Sequence, residues 1–442
     1  SSQFGPDKRW GYFPSGAVAW IITEENFMKD YSNIVSYLKL RGSVGKTGSQ
    51  NLGAYDWRTL MGSATYNGAA GIVPSSLGND ILQWEEQIQK EVGLDYGFWD
   101  DRIRGTLGYY QKKVDNLLYS DPVPTSSSFS SVYQNIGSLK NRGIEFDVRV
   151  DIIKNAPKDL TWNVDFNIAR NRTTLEKLNS SDGYFGGGAY DYFKIEEGGE
   201  TGRFYGYKDA GRLFMTNEEL VGLKTIDPKT GTLKYYRDDY NYERQGDVYI
   251  MDLDGDGQIT ADGDRTVIGN ANPDFFGGFG STLYWKGLML NAVFSYSVGG
   301  DRFWDEEKNS SGDMNVYNTS NRILDSWTVN PGVNASYPRA MYYGWGSNSI
   351  ITDRYIHDAS YLRMTALNLS YRLPKHLYKN SILNAVEFTF QATNLFTWTK
   401  YPGMDPQGNF STTYSAFYNM GIDYSTYPSA RTYNFGIKLT LK

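Results

Sequence analysis

The sequence contains no cysteine. Disulfide frameworks, thiolate nucleophiles and cysteine metal sites are therefore excluded. Histidine is nearly absent as well. His357 and His376 are the only two, too few for a histidine-rich metal centre, and they make a His-based triad hard to build. No apolar run approaches the roughly 20 residues that a membrane helix requires. The nearest, Ala17 to Ile22, is far too short. No secretory signal precedes the opening SSQFGPDKRW, so an export label is expected outside these residues. Charge of one sign is lacking too: 44 basic and 50 acidic side chains leave a net charge of −6. That balance offers no electrostatic footprint for nucleic acid.

What is present is aromatic and periodic. The 442 residues are 40% hydrophobic and 16% aromatic, with 36 tyrosines. Tyr and Trp collect where one end of a ring is buried and the other is wet, as at a membrane interface. In LTWNVDFNIAR, Leu160, Trp162, Val164, Phe166 and Ile168 alternate with polar residues. Ile144, Phe146, Val148, Val150 and Ile152 alternate with Glu145, Asp147, Arg149 and Asp151. The same period of two recurs in VEFTFQA and in the closing YNFGIKLTL. Period two means strands with one apolar and one polar face.

The spacing predicts strands near 10–23, 34–45, 83–94, 101–114, 142–153, 158–172, 276–285, 287–299, 360–373, 383–396 and 430–442. Runs of ~10 residues match tilted membrane strands, whereas strands of soluble sheets are nearer ~5–6. Tight links at Lys154–Pro157 and Lys286 alternate with long ones at 46–82, 115–141, 173–275, 300–359 and 397–429. Short turns on one side and long loops on the other are the layout of an outer-membrane barrel with its long loops outside the cell. The predicted fold is all-β, an antiparallel transmembrane β-barrel. Single-chain bacterial barrels have even strand numbers, so a tally of eleven suggests half of a 22-stranded plugged barrel. Outward residues such as Val164 and Phe166 are expected to face lipid, with Trp162, Tyr296 and Tyr371 near strand ends. Glu145, Asp147 and Arg149 are expected to face the lumen.

Several segments carry a family resemblance over nearly the whole chain. FGPDKRWGYFPSGAVAWIITEENFM, YLKLRGSVGKTGSQNLGAY, NIGSLKNRGIEFDV, GDVYIMDLDGDGQIT, DASYLRMTALNLSYRLP, ATNLFTWTKYPGMDPQ and RTYNFGIKLTLK resemble the C-terminal part of SusC/RagA-type TonB-dependent outer-membrane transporters of Bacteroidota. The resemblance implies energised import of oligosaccharides, or of peptides, across the outer membrane, and no enzyme activity. Its implied partners are a SusD-like surface lipoprotein as lid, TonB with ExbB and ExbD, outer-membrane lipid, and a second transporter–lipoprotein pair in a dimer. Residues 1–442 are read as the C-terminal half of the barrel. The plug domain and TonB box are not among them and are expected on the same or another chain. The family usually ends in an aromatic residue, whereas this chain ends Leu441-Lys442.

Two sets of residues stand out within the long links. In DLDGDGQITADGD, Asp252, Asp254 and Asp256 occupy positions 1, 3 and 5 of a calcium loop, Gly257 position 6 and Gln258 the carbonyl position 7. Position 12 is Gly263; resemblance to the family loop makes Asp264 the equivalent closing carboxylate. One reading is Ca2+ bound by Asp252, Asp254, Asp256, Gln258 and Asp264. The other is a turn cluster held by its own Asx turns. No helical periodicity flanks it, so an EF-hand sensor is excluded. Trp304, Tyr342, Tyr343, Trp345, Tyr401 and Tyr424 are candidates to stack on substrate, or to pack the loops together. His357-Asp358 shows no third catalytic group, and Glu85-Glu86 beside Trp84 is read as a strand or loop surface. The competing classes are a secreted, calcium-stabilised adhesin, which would bury its apolar face under a second sheet, and a glycan-degrading enzyme, which needs a placed carboxyl pair.

Overall fold

Alternation translates into one continuous wall. In the computed structural model the eleven alternating segments pair antiparallel, in chain order, as a single sheet. The strands are β1 (Ser15–Ile21), β2 (Val35–Ser49), β3 (Glu85–Phe98), β4 (Ile103–Asp115), β5 (Gly137–Ala156), β6 (Leu160–Leu178), β7 (Phe275–Trp285), β8 (Leu288–Val298), β9 (Tyr361–Arg372), β10 (Leu383–Thr399) and β11 (Thr432–Leu441). The structure describes residues 1–156, 159–178, 184–186, 192–216, 219, 225–226, 233–234, 245–257, 259–311, 319–332, 334–340, 348, 350–379, 382–408 and 420–441.

Each predicted strand is present, and the largest departures are at β5 and β6. These run 20 and 19 residues, well past the expected 142–153 and 158–172. Their extensions are stabilised by a local apolar cluster in which Ile136 and Leu175 are buried against Leu139 and Leu178. Alternation could not show this, because the cluster draws on the flanking link.

Register places like residues side by side. Leu40, Leu94, Leu107, Phe146 and Ile168 form one cross-strand row. Leu283, Leu290, Leu369, Phe390 and Phe435 form another. The opposite face carries Asn163, Thr282, Asn291, Asn368, Gln391 and Asn434 in register. There Asn368 donates to Asn291 at 3.0 Å and Asn291 to Thr282 at 2.9 Å. Glu145, Asp147 and Arg149, expected toward the lumen, share that polar face. The apolar face is left exposed at Val18, Val92, Ile144 and Phe435, and the other sheets have only two or three strands. A secreted sandwich would have covered it.

Two matching clamps flank the β5–β6 pair. Tyr96 of β3 reaches across Gly105 of β4 and donates to the Asp147 carbonyl of β5 at 3.0 Å. Tyr296 of β8 reaches across Gly277 of β7 and donates to the Asn167 carbonyl of β6 at 2.9 Å. A Cβ at either glycine would collide with that carbonyl and with the tyrosine hydroxyl. The two rings stack on Phe146 and Phe166 at 6.4 and 6.1 Å.

The short turns lie along one edge. Between β7 and β8, Lys286 and Gly287 both take positive φ, 47° and 87°, the geometry of a tight two-residue hairpin. The long links leave from the other edge, and their described residues are folded. Residues Arg203–Tyr207 pair with Arg265–Asn270, and Asp209–Leu213 with Val248–Ile250. Asp301–Trp304 pairs antiparallel with Ile356–Asp358 and parallel with Ile422–Asp423. Many of the largest fully buried side chains, including Phe193, Phe204, Phe214, Phe303 and Tyr355, lie in these links.

The facing generates a direct test. Phe166→Arg should destabilise the folded wall by about 2–4 kcal/mol if the site lies near the bilayer midplane. Urea titration followed by heat-modifiable gel migration measures this. An unchanged midpoint would place the row on the lumen side.

Candidate binding site in the loop layer

Three links share one core. Phe193, Phe204 and Ala271 come from the link after β6, Phe303, Ile351 and Tyr355 from the link after β8, and Ile422 from the link after β10. Alternation in the short strand Asp301–Trp304 then sets the site. Phe303 points into this core and is fully buried. Trp304, its neighbour, turns the other way and stays partly exposed.

Around Trp304 the links assemble aromatic rings and paired charges. Its ring lies 6.1 Å from Tyr401 and 5.9 Å from His357. The Arg322 guanidinium sits 4.5 Å over it, a cation–π contact. Glu307, on the short helix Asp305–Ser311, is 5% exposed and joins three partners. It accepts from Arg322 at 2.7 Å and from Tyr337 at 3.2 Å, and its other oxygen lies 2.5 Å from His357 Nε2. Tyr401 is buried and donates to Asp423 at 2.7 Å. Burial, followed by that hydrogen bond to a carboxylate, pushes the Tyr401 hydroxyl far above its ordinary value, so it stays protonated. Burial likewise lowers the Arg302 guanidinium, which donates to the carbonyls of Gly408 at 3.1 Å, Ala271 at 3.3 Å and Asp301 at 3.0 Å.

Of the six aromatic candidates, Trp304 and Tyr401 are brought together, and Tyr424 stands exposed beside Asp423. Tyr342, Tyr343 and Trp345 lie outside the described residues. Glu307, Arg322 and Tyr337 were not foreseen. His357 does have a carboxylate partner, 50 residues earlier in the chain, a separation that no local pattern reveals. Of the other pair, Glu86 meets Lys46 at 2.6 Å and Glu85 accepts from the Leu118 N–H at 3.3 Å.

The aspartate loop closes on itself. Asp252 accepts from the N–H groups of Gly255 and Gly257 at 2.7 and 2.8 Å, and Asp254 from Asp256 at 3.1 Å. Both glycines take positive φ, 76° and 81°, as so sharp a turn requires. Carboxylate oxygens of Asp252, Asp254 and Asp256 lie within 4.8 Å of one another. The Asp256 N–H lowers the Asp254 carboxyl, but desolvation and the neighbouring carboxylates outweigh it, so its net shift is upward. A Cβ at Gly263 would meet the Asp254 carboxylate, which would have to swing away. Asp264 is buried and accepts from Leu253 and Thr260, each at 2.7 Å. Gln258 lies outside the described residues.

Arg363 of β9 ties this layer to the wall. It is 5% exposed, as is Asp405, and the two pair at 2.6 Å. Arg363 also donates to Gln407 at 2.5 Å and Thr397 at 3.0 Å. Burial alone would raise the Asp405 carboxyl, but Arg363 and the Gln407 and Ser429 N–H groups hold it below the usual carboxylate range. A depressed value means the stabilisation is complete above the unfolded pKa of about 4 and is lost as pH falls through the folded one. Arg363→Met leaves Asp405 buried and unpaired, at an expected cost of about 3–5 kcal/mol. Limited proteolysis of the 400–431 link should show faster cleavage in the variant; unchanged cleavage would remove the pair as an anchor.

Comparison with known proteins agrees with this architecture. The family model described as TonB dependent receptor-like, beta-barrel, matches residues 1–395. TonB-dependent receptor P3 of Formosa agariphila is 33% identical over 99% of this chain and 43% of its own length. TonB-dependent receptor SusC of Bacteroides thetaiotaomicron is 31% identical over 99% of this chain and 41% of its own. A solved structure of the RagAB peptide importer in its closed-closed state superposes with a TM-score of 0.76 at 27% identity, over 99% of this chain and 44% of that one. The chain thus spans about two fifths of the length of the curated relatives it matches. An eleven-stranded wall with an exposed apolar face, folded loops along one edge and a family match over most of its length lead to one conclusion: this chain belongs to the TonB-dependent receptor β-barrel family and is an outer-membrane protein of a Gram-negative bacterium, not an enzyme.

Proposed function

We propose that the chain supplies the C-terminal half of the barrel wall and the outer loops of a TonB-energised importer of oligomeric nutrients. Oligosaccharide is the first substrate class and peptide the second. A plug, a TonB box and the other strands then come from the same or another polypeptide, in keeping with the two-fifths coverage of the relatives. The observation that carries the reading is the loop layer itself. Three links share one core and hold the Trp304 ring, with Arg322 over it and His357 and Tyr401 beside it. A partly exposed indole held in place by Arg322, His357 and Tyr401 suits a sugar face or a peptide side chain. The RagAB importer, similar over nearly the whole chain, is described as taking peptides, which supports the second class. A SusD-like lipoprotein lid over these loops and a dimer of transporter–lipoprotein pairs complete the proposal.

Uptake into whole cells tests it. Cells expressing the full polypeptide should accumulate labelled oligosaccharides or labelled peptides, and a protonophore should abolish accumulation. Trp304→Ala should reduce uptake by up to about tenfold, the loss of one stacked ring. Uptake that survives the protonophore, or failure to accumulate either class, would sink the reading.

We also propose that the aspartate loop holds Ca2+ between Asp252, Asp254 and Asp256, with Gln258 supplying a carbonyl and Asp264 closing the loop. Three clustered carboxylates on two positive-φ glycines support this. Oxygen donors of this kind suit a hard cation, whose role would be to pin the link after β6. EDTA should expose residues 252–264 to protease, and added Ca2+ should restore protection. Equal cleavage with and without EDTA would favour the self-sufficient Asx turns.

A further inference from the structure

The short strand that presents Trp304 presents an arginine beside it. Arg302 pairs with His357, and Trp304 with Asp423. Paired residues share a face, and so do alternate residues along a strand. Arg302, Trp304, His357 and Asp423 therefore stand together, opposite the buried Phe303. The Tyr401 ring packs on that face, 6.1 Å from Trp304 and 6.3 Å from His357. Arg302 and Trp304 are two residues apart, about 7 Å along a strand.

Other arginines of the loop layer are neutralised where they stand. Arg322, Arg339 and Arg354 each meet a carboxylate at 2.7 Å, and Arg363 does so at 2.6 Å. Arg302 is partly exposed and forms no ion pair among the described residues. Nearby acids are engaged elsewhere. Asp423 accepts from Tyr401 at 2.7 Å and from the Thr426 N–H at 3.1 Å. Asp301 lies on the Phe303 face and accepts from the Asn270 N–H at 2.8 Å. Glu307 is taken by Arg322, Tyr337 and His357.

Three carbonyls hold the guanidinium in place. Nε donates to Gly408, and Nη1 to Ala271 and Asp301. A guanidinium has five N–H donors, so the two on Nη2 remain. They meet no partner among the described residues, and Nη2 is not sealed from solvent. A half-buried cation without an anion is costly, and an immobilised one with an open edge favours a charge-assisted bond to a ligand. In a uronate the carboxylate is one bond from the pyranose ring, so a ring laid on Trp304 carries its charge toward Nη2. In a peptide, an aromatic side chain and a carboxylate are joined through several rotatable bonds, whose ordering opposes binding.

We propose that Arg302 sets specificity in the Trp304 site. Its Nη2 donates to the carboxylate of a uronate whose ring stacks on Trp304, so the imported oligosaccharides are acidic. This rests on the import reading and narrows its substrate class.

The test is isothermal titration calorimetry on the whole polypeptide purified from membranes in neutral detergent, with any lipoprotein that accompanies it. The probes are hexamers of galacturonate and of mannuronate, each beside its methyl ester, which keeps the sugar and removes the charge. At least one acid should bind roughly tenfold more tightly than its ester, the worth of one charge-assisted hydrogen bond. Arg302→Gln should bring the acid down to the ester and leave the ester unchanged. Arg302→Lys, which keeps the charge, should retain most of the preference and guards against a folding artefact. Trp304→Ala should weaken acid and ester alike and preserve their ratio. Equal binding of acid and ester by the wild type, or an undiminished preference in Arg302→Gln, would overturn the proposal. So would binding of hexaglutamate, or of no probe, where neither uronate binds. Protonophore-sensitive uptake of neutral oligosaccharides or of peptides beside such a result leaves the import reading standing, and its absence sinks that reading as well.

Discussion

A strand in hydrocarbon has no water to satisfy its N–H and C=O groups, so each must bond to a neighbouring strand. The other features of this wall depend on that constraint. It requires the eleven strands to follow one another in register, and register carries the facing with it. A slip of one residue would turn every lipid-facing side chain into the lumen. The two tyrosine clamps act against such a slip. Each spans three strands and needs a glycine in the middle one, since a Cβ at Gly105 or Gly277 would meet a carbonyl and the tyrosine hydroxyl.

The wall cannot supply an ordinary core, because its apolar face meets lipid and its polar face lines the lumen. Packing of the usual kind moves instead into the long links. Phe204, Phe303 and Tyr355 are fully buried there, and Phe303 pairs on one side with Ile356 and on the other with Ile422. One short strand thus fixes three distant segments, and its next residue, Trp304, is presented at a fixed height and angle. Rigidity at Trp304 is inherited from burial at Phe303. Buried pairs such as Arg363–Asp405 carry that rigidity down to the wall.

The wall was legible because its information is local. Period two at Val164, Phe166 and Ile168 reports facing without knowledge of any partner strand, and the Lys286-Gly287 hairpin is written in two residues. The sheet's irregularities were not legible. A shift between Met364 and Ala366 reverses the facing of the upper part of β9, and its one mark in the sequence is the change of phase from Leu362 and Met364 to Leu367 and Leu369. The site was legible only in part. Trp304 and Tyr401 were named for their ring chemistry, but Glu307 was not, because its partners Arg322, Tyr337 and His357 come from separate turns of a long link. Long-range pairing of buried charge leaves no period in a sequence. The clamps went unseen for the same reason: Tyr296 and Asn167 are 129 residues apart.

The β5–β6 pair is where these layers meet. Its middle carries Phe146 and Phe166, the floors of the two clamps. Two steps of alternation higher, past Ile144 and Ile168, the same face carries Arg142 and Arg170. Higher still, the strands leave the apolar band and end against Ile136 and Leu175. From Asn163–Asp151 to Leu175–Leu139 the two strands pair without a register shift, while the outward face changes from apolar to cationic. That continuity explains their length. Strands cut to the ~10 residues of a membrane crossing would end at the headgroups, leaving Arg142 and Arg170 on fraying ends. Five further pairs beyond Arg142–Arg172 place those cations inside a hydrogen-bonded ladder, where their positions relative to the apolar rim are set by the backbone.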